Sequence, residues 1–342
     1  MTRRLAEVAQ YCGVSEATVS RVLNNKPGIS EATRASVLTA LDVLGYEQPT
    51  KLRGNRARLV GLVLPELQNP IFPAFAEVVA GTLARRGYIP VLCTRTGAGV
   101  LESDYVDMLL DQHISGVIFA GGNYAQAAAE HDHYYRLRER GLPVVLVNAA
   151  IDDLGFPCVA TDDSHAVEQA YRHLASLGHE HIGLVLGPSD HVPSERKHVA
   201  FEKLADDTTG LVERTMFSME GGQSAATRLI KHGITGIICA SDVLALGAIK
   251  AVRRLGLSVP ADISVVGFDD SAFMNCTDPP LTTVRQPIDA MGHAAVALIA
   301  SQIAGHEVSA DEMLFEPELV VRGSTGPIRS QTTRRQRPAA RG

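Results

Sequence analysis

The sequence predicts a mixed α/β protein, with an N-terminal all-α helix-turn-helix headpiece and a core of two doubly wound parallel-sheet subdomains. Three observations predict this fold class. Residues 1–47 have the pattern of three short helices. From Leu59 onwards, apolar runs of strand length alternate with helical stretches, which is typical of parallel sheets covered on both faces. These elements are too many for one sheet, so we expect two subdomains with a cleft between them.

The first two helices begin the headpiece. Gly13 accepts the positive φ of a tight turn and is predicted to end the first helix, and Ser15 is a good N-cap for the second. The inward apolar positions are Leu5, Val8 and Ala9 in the first helix and Val19, Val22 and Leu23 in the second. Such a pair forms a helix-turn-helix, whose second helix fits the DNA major groove, although an ordinary helical hairpin has the same pattern.

A third helix completes the headpiece, which is predicted to span residues 1–47. Ser30 begins this helix and Gly45 ends it. Its inner face contains Ala35, Val37, Leu38, Leu41 and Leu44. Residues 48–58 are polar and basic and form the predicted hinge between the headpiece and the core.

The charge of the chain is unevenly distributed. The formal net charge is −6, but residues 1–58 contain nine Arg or Lys and five Asp or Glu, which gives +4 there and −10 in the remainder. A basic head on an acidic body is typical of a DNA-binding module attached to another domain. The five cysteines are scattered, and neither a signal peptide nor a run of ~18 apolar residues occurs. We therefore expect a cytoplasmic protein with reduced thiols and no membrane partner.

The core is predicted to span residues 59–325. Its apolar runs of strand length are 59–64, 91–93, 116–120, 143–147, 182–186, 236–240 and 263–266, and the helical stretches between them include 72–86, 167–177 and 243–255. The predicted first subdomain comprises residues 59–158 and 288–318, and the predicted second subdomain comprises residues 159–287 and 319–325. Residues 326–342 are basic, lack apolar periodicity and are predicted to form a disordered tail.

Polar side chains follow four of the predicted strands. They are Glu66 and Asn69, then Asn148, then Ser241 and Asp242, and finally Asp269 and Asp270. In open α/β sheets, ligands bind outside the carboxyl ends of the strands. We therefore expect these loop ends to converge on one ligand-binding cleft.

Several stretches resemble the lactose-repressor (LacI/GalR) family of transcriptional regulators. The resemblance extends from the headpiece to about residue 322, and it is carried by the string Thr-Val-Ser-Arg-Val-Leu-Asn at 18–24, the string Leu-Gly-His-Glu-His-Ile-Gly at 177–183 and the four loop ends. It implies a core similar to periplasmic sugar-binding proteins. It also implies a repressor of carbohydrate-utilisation genes, released from a palindromic operator by a sugar or oligosaccharide inducer. The tail has no leucine heptad, so the expected assembly is a homodimer.

The resemblance assigns DNA-binding roles to the second helix. The side chains expected at base edges are Glu16, Ala17 and Arg21, and those expected at phosphates are Thr18, Ser20 and Asn24. Arg21 is suited to guanine O6 and N7, and Glu16 is suited to cytosine N4. A carboxylate at position 16 also fits a role in which it only stabilises the helix dipole.

The resemblance further implies a hinge helix that inserts a leucine into the minor groove. Leu52 is the only large apolar residue of the hinge available for this role, and such wedges kink the duplex. The sequence departs from the family here, because the hinge is about three residues shorter than usual and Pro49 lies where the helix would begin. A flexible tether is the alternative.

Two carboxylates are the strongest candidates for binding the effector. Asp242 and Asp269 follow strands, and a carboxylate accepts several hydrogen bonds from a polyol, although each also fits a cap or turn. The family usually has an arginine three positions before a Gly-aromatic pair. Here the pair is Ala200-Phe201, and the position of the arginine holds Lys197, with Arg196 beside it. The weaker candidates for the cleft wall are Asn148, Glu66, Asn69, Phe72 and Ile288.

The sequence contains none of the catalytic or nucleotide-binding motifs that would indicate an enzyme, and we expect no cofactor. Two histidine pairs, His131/His133 and His179/His181, lack further ligands nearby in sequence, so we expect solvated loop histidines and no metal. Two other functions remain as alternatives. One is a regulator that needs a nucleobase corepressor, and the other is a solute-binding protein without a role in DNA binding.

The position of Arg21 on the outer face of the second helix gives the first testable prediction. Arg21→Ala should cost about 1–3 kcal/mol at one base pair of each operator half-site and relax the base preference there. Competition binding with operators that vary at single positions measures this effect. An equal loss of affinity for every sequence would show that Arg21 contacts only phosphate.

Overall fold

The computed structural model describes residues 8–23, 28–30, 32–33, 36–37, 40, 58–94, 99–205 and 211–328. The chain divides into two compact units, Met1–Arg58 and Leu59–Gly342. Asn24, Leu52 and the predicted hinge before Arg58 lie outside the described residues.

The first unit contains the predicted pair of helices. Residues 8–12 are helical, Gly13 has a φ of 65°, and helix α1 spans Glu16–Leu23. The Ser15 Oγ accepts a hydrogen bond from the Thr18 N–H at 3.2 Å, which caps α1. Among the described residues of this unit, the buried apolar ones are Val8, Ala9, Val19, Val22, Val37 and Ala40. The described part of the headpiece thus confirms the predicted turn, cap and inward face.

The first subdomain of the core contains a six-stranded parallel sheet with helices around it. Its strands are β1 (Leu59–Leu64), β2 (Ile89–Thr94), β3 (Gly116–Phe119), β4 (Val144–Val147), β5 (Cys158–Thr161) and β11 (Glu312–Phe315). Its helices are α2 (Ile71–Arg85), α3 (Glu102–Asp111), α4 (Asp132–Glu139) and α9 (Ile288–Ile303). The strand order is β11-β5-β4-β3-β1-β2. Apolar residues pack on both faces of this sheet, as the continuous apolar runs predict.

The second subdomain repeats this arrangement. Its strands are β6 (Ile182–Leu186), β7 (Leu211–Arg214), β8 (Gly236–Cys239), β9 (Ser264–Asp269), β10 (Thr282–Arg285) and β12 (Glu318–Val320). Its helices are α5 (Asp163–Ser176), α6 (Val192–Glu202), α7 (Met219–Lys231) and α8 (Asp242–Arg254). The strand order is β12-β10-β9-β8-β6-β7, and only the edge strand β12 is antiparallel to its neighbour. Two doubly wound sheets confirm the predicted fold class.

The chain crosses between the two subdomains three times. It crosses after Thr161, between β10 and α9, and between β11 and β12. The first crossing lies three residues later than the predicted boundary at 158, because Cys158–Thr161 pairs with β4 and β11 as a strand of the first sheet. The C-terminal end of the core also lies later than the predicted residue 325. Gly326 donates its N–H to Ser264 Oγ, and Ile328 donates its N–H to Leu177 O at 3.1 Å.

Helices α7 and α8 pack closely because each has a glycine at the contact. A Cβ added at Gly222 would overlap the backbone oxygen of Leu244, and a Cβ added at Gly247 would overlap the backbone oxygen of Met219. A backbone atom cannot turn aside as a side chain can, so the two helices would have to separate. Glycine at these positions is therefore a packing requirement.

This contact gives a prediction on stability. Gly222→Ala should lower the free energy of unfolding by about 1–3 kcal/mol, because it overpacks a close helix contact. The control is Gly81→Ala in α2, where an added Cβ meets nothing closer than the Arg85 side chain at 3.6 Å. Alanine in a helix interior should raise the free energy of unfolding there by about 0.5–1 kcal/mol. Urea unfolding measures the free energy of unfolding of both variants. If the two substitutions changed it in the same direction, the packing requirement at Gly222 would be contradicted.

Candidate functional site

The outer face of α1 is available for contact with a partner of the headpiece. Glu16, Ala17 and Arg21 are exposed, and Thr18 and Ser20 are half-buried. The helix buries Val19 and Val22 on its opposite side, so it presents one face to the headpiece core and the other to solvent. This is the arrangement expected of a helix that enters the major groove.

A cavity of about 450 Å³ lies between the two subdomains, beyond the carboxyl ends of strands from both sheets. This volume is within the roughly 300–1,000 Å³ that is typical of small-molecule sites. Seven of the predicted ligand residues line it: Glu66, Asn69, Phe72, Asn148, Lys197, Asp269 and Ile288. The predicted cleft is therefore present, with walls supplied by both subdomains. Asp242 and Arg196 do not line it.

Asp269 is held in the cavity wall as an oriented acceptor. It is the last residue of β9, is 4% exposed and has a φ of 122°, which is a strained backbone conformation for a residue with a side chain. Gln286 Nε2 donates to its Oδ1 at 2.6 Å, and Asn69 Nδ2 donates to its Oδ2 at 3.4 Å. Burial, and then the charge of Asp242, raise the pKa of Asp269 well above its usual range.

Asp242 was predicted to face the cavity, but its side chain instead makes hydrogen bonds within the second subdomain. It is the first residue of α8 and is fully buried. Its Oδ1 accepts from Thr283 Oγ1 at 2.6 Å, and its Oδ2 accepts from the Ser271 N–H at 2.7 Å. Burial raises its pKa to about 6. The neighbouring Ser241 caps α8 and lines the cavity in its place.

The two basic candidates on α6 point in different directions, because consecutive residues of a helix lie on different faces. Arg196 Nη1 donates to Glu312 Oε1 of β11 at 2.7 Å, outside the cavity. The Lys197 ammonium contacts the Asp163 carboxylate and lies 4.0 Å from the centroid of the Phe268 ring. Among the described residues, Lys197 is therefore the basic side chain that lines the cavity, and Arg196, the other predicted candidate, lies outside it.

Gln286 is a cavity residue that no sequence pattern indicated. Its Oε1 accepts from Thr161 Oγ1 at 2.9 Å and from Asn148 Nδ2 at 3.4 Å, and its Nε2 donates to Asp269. It follows β10, so it obeys the same rule of strand ends as the residues that were predicted. The missing signal was the strand itself, since Thr282–Arg285 is too short and polar to be recognised as an apolar run.

The remaining wall combines aromatic rings with neutral polar groups. The rings that line the cavity are Phe72, Phe75, Phe217 and Phe268. His191 also lines it, and its Nδ1 lies 2.9 Å from Ser194 Oγ. Burial, and then the charge of Lys197, lower the pKa of His191 to about 4. The imidazole is thus neutral at neutral pH. Aromatic faces beside oriented hydrogen-bonding groups suit a ligand with apolar ring faces and hydroxyl edges.

The histidines are not all solvated, which corrects the prediction for two of them. His133 is buried, with its Nε2 2.9 Å from Glu102 Oε1. His179 is buried and bonded to the hydroxyls of Thr235 and Ser264. His131 is half-buried, and His181 is exposed. In the described part of the chain, no cluster of three or more His, Cys, Asp and Glu side chains is arranged to hold a metal ion. Among the same residues, no helix has the length and apolar character to cross a membrane.

Comparisons with known proteins match both parts of the chain. Residues 4–48 match the family model of bacterial regulatory proteins, lacI family, and residues 171–325 match a periplasmic binding protein-like domain. The HTH-type transcriptional regulator MalR of Streptomyces coelicolor is 51% identical over 334 residues, which cover 95% of this chain and 97% of the relative. The HTH-type transcriptional repressor CytR of Escherichia coli is 31% identical over 333 residues, which cover 94% and 96%.

Two of the similar solved structures cover nearly the full length of the chain. The complex of the transcriptional regulator CelR with cellobiose has a TM-score of 0.70 at 29% identity and covers 94% of this chain and 99% of its own. The Lac repressor dimer bound to operator and the anti-inducer ONPF has a TM-score of 0.71 at 26% identity and covers 93% and 98%.

A helix-turn-helix headpiece joined to a periplasmic-binding-protein-like core defines a class of transcriptional regulators. Relatives of that class match this chain over nearly its full length. The chain belongs to the lacI family of bacterial regulatory proteins, as the sequence motifs predicted.

The buried carboxylate of Asp269 gives a prediction on the pH dependence of stability. Because its pKa is raised on folding, the folded chain holds this proton to higher pH than the unfolded chain, whose Asp has a pKa of about 3.9. The contribution of the Asp269 carboxyl to the free energy of unfolding is therefore fully present at low pH, and it is lost as the pH rises above about 4. Asp269→Asn does not titrate there, so its melting temperature relative to the natural chain should rise between pH 4 and pH 7.

The control is Asp270→Asn, which removes a carboxylate that binds Arg285 and Arg322 and does not line the cavity. This variant should lose stability at pH 7. Thermal unfolding of the two variants at pH 4 and pH 7 measures both effects. If the melting temperature of Asp269→Asn differed from that of the natural chain by the same amount at both pH values, the claim that folding raises the pKa of Asp269 would be contradicted.

Proposed function

We propose that the protein is a sequence-specific repressor of carbohydrate-utilisation genes, released from a palindromic operator by a sugar or oligosaccharide. The proposal includes a homodimer that acts in the cytoplasm and has no catalytic role. The exposed face of α1, with Arg21 and Glu16, would read base edges, while Thr18 and Ser20 would position the helix on phosphates.

The observation that carries the proposal is the cavity between the subdomains. Its walls hold an oriented carboxylate, Asp269, beside the amide side chains of Gln286, Asn69 and Asn148. These groups offer both acceptors and donors, as the hydroxyls of a saccharide require. The relatives support the choice of ligand class, since one similar structure is a complex with cellobiose.

Hydrogen bonds across the cavity provide a route for the ligand to control DNA binding. Asn69 of the first subdomain donates to Asp269 of the second, and Gln286 contacts residues of both. A ligand that enters between these groups changes the relative free energies of the arrangements that the two sheets can adopt. By linkage, an inducer must bind more tightly to the arrangement that binds operator poorly. A ligand with equal affinity for both arrangements does not change their populations.

The proposed dimer is supported by the structure of the Lac repressor. That protein has a similar fold and was solved as a dimer bound to operator. Two headpieces in a dimer match a palindromic site, in which each half-site takes one recognition helix.

The experiment that tests the proposal separates effector binding from operator binding. Operator sites are first selected from random DNA with the full chain, and a panel of saccharides is then screened for release of the complex. Asp269→Ala should still bind the selected operator, because the headpiece is a separate unit. It should lose about 10- to 150-fold in affinity for the saccharide, which is the worth of a charged hydrogen bond of roughly 1.5–3 kcal/mol.

The control for this experiment is Glu180→Ala, which removes an exposed carboxylate of the second subdomain outside the cavity and should leave both activities unchanged. Titration calorimetry with the saccharide and fluorescence anisotropy with the operator measure the two activities. Normal saccharide binding by Asp269→Ala would make Asp269 a turn residue only. If that variant unfolds, Asp269→Asn keeps the shape of the side chain and decides the question.

A further inference from the structure

The cavity wall contains one buried ion pair, formed by Asp163 and Lys197. Their exposed fractions are 6% and 5%, and the Lys197 ammonium contacts the Asp163 carboxylate. Among the described residues that line the cavity, Lys197 is the only Lys or Arg. The single fixed positive charge of this wall is therefore neutralised before any ligand enters.

The position of Asp163 is set by the start of α5. Asp162 is the N-cap of this helix, and its side chain accepts from the His165 N–H at 2.9 Å. Asp163 is thus not required for capping, and its carboxylate is directed to Lys197 on the neighbouring helix α6. The ammonium has three donors, so it can still donate to a ligand hydroxyl while it remains bound to Asp163.

The other ionisable groups of the wall do not favour an anion. Glu66 and Asp269 carry carboxyl groups, which are never positively charged, and His191 is neutral at neutral pH because of its lowered pKa. A phosphate or carboxylate group would lose its hydration on entering this cavity and would find no uncompensated cation on the described wall. Burial of a charge without a partner of opposite sign is strongly unfavourable.

We infer that Asp163 is a specificity-determining residue that neutralises Lys197 and so restricts the effector to uncharged saccharides, with phosphorylated and carboxylated sugars excluded. This inference rests on the proposed sugar-responsive function. It goes further by naming the charge of the effector and the residue that selects it. Its consequence is that removing the charge of Asp163 should convert the site into one that accepts a sugar phosphate.

The first part of the test uses the natural chain and matched ligand pairs. Cellobiose, maltose and trehalose are each compared with their 6-phosphates by titration calorimetry and by release of selected operator DNA. A neutral sugar that binds should bind at least tenfold more tightly than its phosphate. A 6-phosphate that binds as tightly as its neutral parent would overturn the inference while leaving the sugar-responsive function intact.

The second part uses Asp163→Asn, which keeps the shape of the side chain and leaves Lys197 with an uncompensated charge. Affinity for the 6-phosphate should rise about tenfold or more, because a charge-assisted hydrogen bond to phosphate replaces the lost pair. The double variant Asp163→Asn/Lys197→Met should show no such gain. An unchanged preference for neutral sugars in folded Asp163→Asn would contradict the assigned role.

The matched control is Glu312→Gln, which removes the carboxylate from the neighbouring pair with Arg196 that does not line the cavity. It should not raise affinity for the 6-phosphates, and a gain equal to that of Asp163→Asn would overturn the inference. If Asp163→Asn does not fold, the inference is tested on the natural chain and on the double variant. Each is compared for its affinity for the neutral sugars and for their 6-phosphates. If no saccharide of either kind binds the natural chain, the proposed sugar effector fails, and the inference fails with it.

Discussion

The side-chain amide of Gln286 is the contact on which the arrangement of the core depends. It lies where the chain crosses between the subdomains, and it binds Thr161 and Asn148 of the first and Asp269 of the second. A neutral amide can do this because it has both donors and acceptors. Any rotation of one sheet against the other must stretch or exchange these bonds, so the orientation of the sheets and the position of the Asp269 carboxylate are coupled through one side chain.

The repeated strand order explains why the cavity is bounded by polar groups from both subdomains. In each sheet, the order places the loops after the first and third strands beside each other at a topological switch point. The two switch points face one another across the cavity, which is lined by Glu66 and Gly121 on one side and by Pro188 and Ser241 on the other. Sheet topology therefore fixes where the cavity lies, and the side chains on its loops determine its chemistry.

The amino-acid sequence was sufficient to predict the fold and much of the cavity wall. Long apolar runs such as Leu59–Leu64 identify buried parallel strands, and a polar residue after such a run identifies a loop end. The errors came from contacts between residues distant in sequence. Asp242 bonds to Thr283, and His179 bonds to Ser264, so each side chain is enclosed by partners that no local pattern indicates. The same limit hid the pairing of Lys197 with Asp163.

Residues 321–328 return to the amino end of the second sheet, and Ile328 donates its N–H to Leu177 O beside the start of strand β6. Leu59 begins at the amino end of the first sheet. Because the carboxyl ends of both sheets face the cavity, these amino ends lie at opposite poles of the core. A fluorescent protein or affinity tag attached to the chain beyond Ile328 would therefore leave the core at the pole opposite to the one at which Leu59 lies.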